Sequence, residues 1–273
     1  MKEQILVLGG TGKTGRKIVE QLQTQGYPVR IGSRRAAIPF DWDAPENWSE
    51  VLQGMDKMYV TYQPDLAVPG ALEAIEQLVR VAKQQGIKKL VLLSGKGERE
   101  AELSEQVVIH SGLDYTIVRA SWFSQNFSES FLLEPIMAGF VALPQANVKI
   151  PFVDTNDIAE VAVQALTNDL HNGKIYHLTG PEAITFPQAI AEIATQTNRH
   201  IDFQPVSLDE YSAALKAAPL PEGYAWLIDY LFREVIGQAS VSDISTDVEQ
   251  VLGRKPTSFQ EYVSTTKETG VWN

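Results

Sequence analysis

One turn near the start constrains this sequence more than anything else in it. Ile5-Leu6-Val7-Leu8 is a short apolar run, and Gly9-Gly10-Thr11-Gly12-Lys13-Thr14-Gly15 follows at once. Four apolar residues closed by glycine read as a buried strand. From Thr14 the period changes: Gly15, Ile18, Val19 and Leu22 fall on one helical face, and Gly26 ends the element. The glycines satisfy G-x-G-x-x-G through Gly10, Gly12 and Gly15, and G-x-x-G-x-x-G through Gly9, Gly12 and Gly15. The early ones allow a tight turn, Gly12 lets backbone approach a pyrophosphate, and Gly15 lets the helix pack close to the sheet. The helix N-terminus then offers N–H groups to phosphate oxygens. Gly12-Lys13-Thr14 also looks like the end of a triphosphate-binding loop. That motif needs a glycine five residues before Gly12, and Val7 stands there, inside the strand.

The chain continues the alternation. Val29–Ile31 and Lys57–Tyr62 read as strands, and Ala71, Leu72, Ile75, Leu78, Val79 and Ala82 mark an amphipathic helix stopping at Gly86. Leu90–Leu93 is an apolar strand, 100–110 a helix closed by Ser111-Gly112, and Tyr115–Val118 the next strand. Such a pattern predicts an α/β fold, a doubly wound parallel Rossmann sheet, with a smaller, mostly helical substrate lobe. Residues 1–152 are assigned to the nucleotide-binding domain, with 153–180 returning to it, and 181–273 to the helical lobe, the elements interleaving. Three capping boxes, Thr185-x-x-Gln188, Ser207-x-x-Glu210 and Ser258-x-x-Glu261, each precede a helical pattern in that lobe.

Composition narrows the function classes. The 273 residues include no cysteine, which excludes disulfides, thiolate metal sites and a catalytic thiol. The net charge of −11 argues against a sequence-independent grip on nucleic acid or an anionic membrane. No apolar stretch approaches the length of a spanning helix or a signal h-region, so a cytoplasmic location is expected, with a small molecule as partner. Oligomeric state is not legible. The four histidines, His110, His171, His177 and His200, are scattered, so no metal site is expected. His110, at a helix end, fits a structural role with the dipole.

The second strand bears on the choice of dinucleotide. Sites for the unphosphorylated cofactor carry a carboxylate about 20 residues after the glycines, which binds the ribose hydroxyls. Here the strand ends Gly32-Ser33-Arg34-Arg35. Guanidinium forks bind a 2′-phosphate where a carboxylate would repel it, so NADP(H) is expected over NAD(H).

Three blocks carry a family resemblance: Gly9-Gly10-Thr11-Gly12-x-x-Gly15, Ser33-Arg34-Arg35, and the run from Ser111 through Leu113, Asp114 and Tyr115 to Arg119. To these add Trp122-Phe123-Ser124-Gln125-Asn126-Phe127, Pro151-Phe152-Val153-Asp154-x-x-Asp157-Ile158-Ala159, Leu252-Gly253-Arg254 and Gly270-Val271-Trp272. Together they resemble the NmrA-like atypical short-chain dehydrogenase/reductases, and the bacterial subgroup similar to the ergot-alkaloid (agroclavine and festuclavine) dehydrogenases. The resemblance implies a cofactor site. Gly9, Thr11, Gly12, Lys13 and Thr14 would surround the pyrophosphate, and Ser33, Arg34 and Arg35 would take the 2′-phosphate. Asp41 and Trp42, after a third strand, would lie near the adenine. Thr61, Tyr62 and Gln63 would flank the ribose. Ser94, Gly95 and Lys96 would approach the nicotinamide, with Ala120, Ser121 and Trp122 following the next strand.

The proton donor is where the chain departs from the family it resembles. None of the nine tyrosines has lysine four residues on, so the usual Tyr-x-x-x-Lys pair is absent. Ala101 or Glu102 stands where many NmrA-like enzymes keep a lysine. Two chemistries stay open. The substrate needs little acid help, as an iminium, a quinone or another conjugated acceptor would. Alternatively Tyr62, Ser94 or Lys96 donates. Trp122, Phe123, Asn126 and Phe127 have the makings of a planar-substrate pocket, and Tyr224 and Trp226, with Tyr230, of a second wall. The expected function is an NADPH-dependent oxidoreductase delivering hydride to a small conjugated electrophile. The alternative is an NADP(H)-binding redox sensor with little turnover.

Overall fold

In the computed structural model, residues 2–221 and 223–273 are described. In chain order the principal elements are β1 (Ile5–Leu8), α1 (Gly15–Thr24), β2 (Val29–Gly32), α2 (Trp48–Leu52), β3 (Lys57–Val60), α3 (Ala71–Gln84), β4 (Lys89–Gly95), α4 (Arg99–Ile109) and β5 (Asp114–Ala120). Then follow α5 (Asn126–Glu129), α6 (Leu133–Ala138), β6 (Phe140–Leu143), α7 (Thr155–Thr167), β7 (Lys174–Leu178), α8 (Phe186–Thr197), β8 (Asp202–Pro205), α9 (Leu208–Ala217), α10 (Tyr224–Tyr230), α11 (Asp247–Leu252) and α12 (Phe259–Lys267). The chain divides into two compact units: Met1–Ala120 with Asn156–His177, and Ser121–Thr155 with Leu178–Asn273.

The first unit carries the sheet, in the order β2-β1-β3-β4-β5-β7. The pairs β1–β2, β1–β3, β3–β4 and β4–β5 are all parallel. Helices on both faces of such a sheet explain why its strands are apolar without alternation. Every residue of β1 and β3 is buried, including Lys57. On one face Leu6, Leu8, Met58, Val60, Leu90 and Leu92 pack with Ile75, Leu78 and Val79 of α3 and Ala101 and Val108 of α4. Because β2 and β3 lie on opposite sides of β1, the strand order reverses there. Open α/β sheets bind ligands at such a reversal, outside the carboxyl ends of the strands.

Residues 33–47 correct one expectation. The strand expected before Asp41 does not form. The chain turns back instead, with Phe40 N–H donating to Ser33 O at 3.0 Å. Pro39 lacks a ladder donor, and Phe40 leaves for the core, 3% exposed, where it stacks on Trp48. The strand read as Lys57–Tyr62 ends at Val60, so Thr61, Tyr62 and Gln63 lie in the loop beyond it.

The second unit has its own core, in which Phe127, Phe152, Phe186, Phe232 and Phe259 pack with Tyr262 and Trp272. The segment 121–155, assigned from sequence largely with the nucleotide domain, belongs here because Phe127 and Phe152 pack edge-on against each other and tilted or edge-on against Phe259 and Phe186. Beside the helices it holds a two-stranded parallel sheet, β6–β8. All three capping boxes form: Thr185, Ser207 and Ser258 each accept from the N–H three residues on, and Gln188, Glu210 and Glu261 accept from the cap N–H. Each satisfies two orphan donors at a helix start.

Candidate cofactor site

At Gly9, Gly10 and Gly15 the turn after β1 leaves no room for a side chain. Gly9 has φ +68°, and a Cβ there would meet Thr61 Cγ2 at 2.4 Å. A Cβ on Gly15 would lie 2.2 Å from Gly9 O, and one on Gly10 2.9 Å from Ile31. At Gly12 the nearest atom would be Gly9 O, at 3.2 Å. The turn is fastened by Gly9 N–H donating to Gly32 O (2.9 Å) and Gly12 N–H to Gly9 O (2.8 Å). Thr11 is exposed at its tip. The first turn of α1 carries no acidic residue, so nothing there opposes an anion at the positive end of the helix. This cradle fits a dinucleotide pyrophosphate.

Thr14 differs from its expected place beside the phosphates. Its hydroxyl is turned inward, 4% exposed, and bonds the Tyr59 hydroxyl at 2.9 Å. Burial pushes the Tyr59 phenol well above its usual range, so it stays neutral in this bond. Thr14 therefore anchors the start of α1 to β3 and leaves only its backbone for a ligand.

At the end of β2, Ser33 is half-buried, and Arg34 and Arg35 are exposed on a turn. Asp41 acts as a loop anchor. Its carboxylate accepts from Asp43 N–H (3.2 Å) and its carbonyl from the Trp48 indole (2.7 Å). Trp42 is half-buried and lies edge-on to Phe40 and Trp48, with the Tyr62 ring 4.6 Å away. The structure thus brings Trp42 and Tyr62 into one aromatic wall, which the sequence did not reveal. Gln63 is exposed and precedes a cis proline, Pro64.

At the end of β4, Ser94 donates to Glu105 Oε1 at 2.6 Å. Glu105 is fully buried, and Arg119 Nε donates to both its oxygens at 2.9 Å. Lys96 is half-buried, and its N–H donates to Ala120 O at 2.9 Å. Next to it, Glu98 folds back over Gly95: a Cβ on Gly95 would sit 2.0 Å from Glu98 Cδ. Glu98 is hydrogen-bonded to Asp65, from the loop after β3. Burial, and then the Asp65 charge, hold the Glu98 carboxyl well above the usual range. Sequence reading missed both Glu98 and Glu105. Neither belongs to a motif, and only the folded loops give them partners.

The second unit sorts the aromatic candidates. Phe127 is fully buried, and its carbonyl accepts from the Trp272 indole at 3.0 Å. It is a core residue, which corrects its assignment to a pocket. Trp122 is half-buried, edge-on to Phe131, Phe186 and Phe232. Phe123 and Asn126 are half-buried, and Phe123 bridges Val153. Ser121 N–H donates to Leu178 O at 2.9 Å. Tyr224 and Trp226 are exposed, 37% and 47%, and Trp226 stacks on Tyr230 with the rings 12° from parallel. Among the described residues, no helix is long and apolar enough to cross a membrane.

The cradle and the strand reversal fit a bound dinucleotide, and comparison with known proteins decides the family. The model of the NAD(P)H-binding family matches residues 9–169. The chain belongs to that family. It is an NmrA-like member of the atypical short-chain dehydrogenase/reductases, which are NAD(P)-dependent oxidoreductases. Agroclavine dehydrogenase of Claviceps fusiformis is 30% identical over 98% of each chain. NAD(P)H azoreductase of Xenophilus azovorans is 28% identical over 94% of this chain and 96% of that one. Among solved structures, an NADPH-dependent quinone oxidoreductase of Escherichia coli in complex with NADPH superposes with a TM-score of 0.80. It is 22% identical and covers 96% of this chain and 99% of its own.

In an NAD(P)H-binding oxidoreductase, the three candidate proton donors stand differently. The proton of Ser94 is committed to Glu105. The Tyr62 phenol is pushed upward by burial and by Asp43 and Glu73, which makes it a weaker acid. Lys96 is placed at the end of β4, half-buried.

Proposed function

We propose that this protein uses NADPH to deliver hydride to a small conjugated electrophile, an iminium, a quinone or a similar acceptor. The observation that carries the reading is the state of Ser94. A hydroxyl that gives its only proton to a buried carboxylate has none to give a substrate. With Ser94 committed, Tyr62 weakened as an acid and no Tyr-x-x-x-Lys pair, Lys96 is the candidate donor that remains, and a substrate that accepts hydride with little protonation fits this site best. Relatives named for an alkaloid and for azo reduction agree with that class. The preference for NADPH rests on Arg34 and Arg35, exposed on the turn after β2, whose guanidinium forks suit a 2′-phosphate.

When bound, the dinucleotide supplies the hydride. The chain's residues bind and orient it: the turn from Gly9 to Gly12 and the start of α1 hold the pyrophosphate, Ser33, Arg34 and Arg35 the 2′-phosphate, and the ends of β3 and β4 the nicotinamide half. Half-buried Trp122 and Phe123 and exposed Trp226 and Tyr224 are proposed to present flat apolar surface to the acceptor. The test is NADPH oxidation across a panel of quinones, iminium ions and azo compounds, beside simple ketones. Turnover with the conjugated acceptors and none with ketones is expected. Efficient ketone reduction, or no turnover at all, overturns the reading.

A further inference from the structure

We infer that Glu98 is a positioning residue for the nicotinamide half of the cofactor, its Oε2 accepting a hydrogen bond from the carboxamide N–H or a ribose hydroxyl. The inference rests on the NADP(H) reading above.

Four observations converge on it. Glu98 is 7% exposed and lies at the carboxyl end of β4, where only a glycine at 95 leaves room for it. Its Oε2 is buried with no hydrogen-bond partner. Through its other oxygen it bonds Asp65, whose carboxylate also accepts from Ala67 N–H at 2.8 Å. Burial raises both carboxyls, that of Glu98 further, and the Ala67 N–H favours the ionised form of Asp65, so Glu98 is the donor. The proton faces Asp65, and Oε2 is therefore a carbonyl oxygen, an acceptor without a donor. A buried polar atom in that condition costs the fold free energy that a ligand donor would return. The nicotinamide riboside carries such donors, its amide and its hydroxyls, and by the strand-end rule it lies over the ends of β3 and β4, the two loops that supply Asp65 and Glu98.

An acid held neutral suits this place better than a carboxylate. The charged groups acting on Glu98 are Asp65, Glu100 and Glu105, all acidic. Raising the pH ionises Glu98 beside Asp65, and the two carboxylates repel, which unmakes the site.

The test separates the two halves of the cofactor. NADPH and 2′,5′-ADP, which lacks the nicotinamide half, are titrated by fluorescence or calorimetry into wild type, Glu98→Leu and Glu98→Gln. Glu98→Leu is expected to weaken NADPH about tenfold and leave 2′,5′-ADP unchanged. Glu98→Gln keeps both the carbonyl acceptor and a donor to Asp65, so it is expected to restore the affinity. Wild-type affinity for NADPH should fall as pH rises, while that of Glu98→Gln stays level. An unchanged NADPH affinity in Glu98→Leu, an equal loss for both ligands, or parallel pH curves in wild type and Glu98→Gln would overturn the inference. The pH comparison stands even if Glu98→Leu does not fold. Wild-type protein that binds neither ligand would overturn the NADP(H) reading itself.

Discussion

Ser94 and Glu105 are joined by a 2.6 Å hydrogen bond in which the serine gives and the carboxylate receives. Glu105 is fully buried, and Arg119, from β5, supplies its countercharge. Removing one partner of such a pair strands the other charge. Glu105→Ala is expected to lose about 3–5 kcal/mol of stability, read from urea denaturation. Ser94→Ala should lose far less, because Arg119 still satisfies the carboxylate. A loss for Glu105→Ala within experimental error would show that the pair does not hold the end of β4.

The basic turn after β2 is proposed to select the phosphorylated cofactor. Arg34→Ala with Arg35→Ala should weaken NADPH by tenfold or more and leave NADH nearly unchanged, since the two cofactors differ only by the 2′-phosphate. Both side chains are exposed, so the melting temperature should hold. Equal losses for both cofactors would contradict the assignment.

Two glycines of one loop should fail in different ways. At Gly15 a Cβ would overlap Gly9 O at 2.2 Å, inside the packed start of α1. Gly15→Ala is expected to destabilise the fold. At Gly12 the nearest atom is 3.2 Å away, which a small shift relieves. Gly12→Val should therefore fold, with a native circular dichroism spectrum, and lose nucleotide binding. Tight binding by Gly12→Val would refute the pyrophosphate assignment.

The Asp65–Glu98 pair makes stability depend on pH. The Glu98 carboxyl is raised in the fold, first by burial and then by Asp65, above its unfolded value of about 4.3. Over the window above that value the native state binds more protons than the unfolded chain. The contribution is full below about pH 4.3 and is lost as pH rises toward the folded value, by at most about 1.4 kcal/mol per pH unit. Urea midpoints followed from mildly acid to mildly alkaline pH should fall more steeply for wild type than for Glu98→Gln. Equal slopes would show that Glu98 does not titrate in this window.

The aromatic candidates separate by burial. Phe127→Ala opens the second core and is expected to cost about 3–5 kcal/mol. Trp226→Ala removes a half-exposed ring and should change stability by about 0.5 kcal/mol or less, while raising KM for flat acceptors. A KM unmoved by Trp226→Ala would take that ring out of substrate binding.

The glycine turn, the α/β alternation and the three capping boxes were legible because each is local. Strand and helix differ in period, and a box is a pattern of four residues. The expected strand before Asp41 failed because Phe40 is drawn beside Trp48 into the core that Leu6, Met58 and Ile75 share, a competition with residues distant in the chain that no short window reports. Thr14 looked like a phosphate ligand by its place in the motif. Its direction is set by Tyr59, forty-five residues on.

The sequence by itself determined a dinucleotide turn on a parallel sheet, because three glycines in one spacing leave the backbone little else to do. It also determined the basic turn after β2, a matter of which residues follow a strand. What only the tertiary structure decided is which side chains keep a proton and which give it away. Ser94 gives its proton to Glu105, and burial, with Asp65 beside it, holds the Glu98 carboxyl above the usual range. Both outcomes depend on burial and on partners distant in the chain, which exist only once the loops after β3 and β4 and the helix α4 have packed.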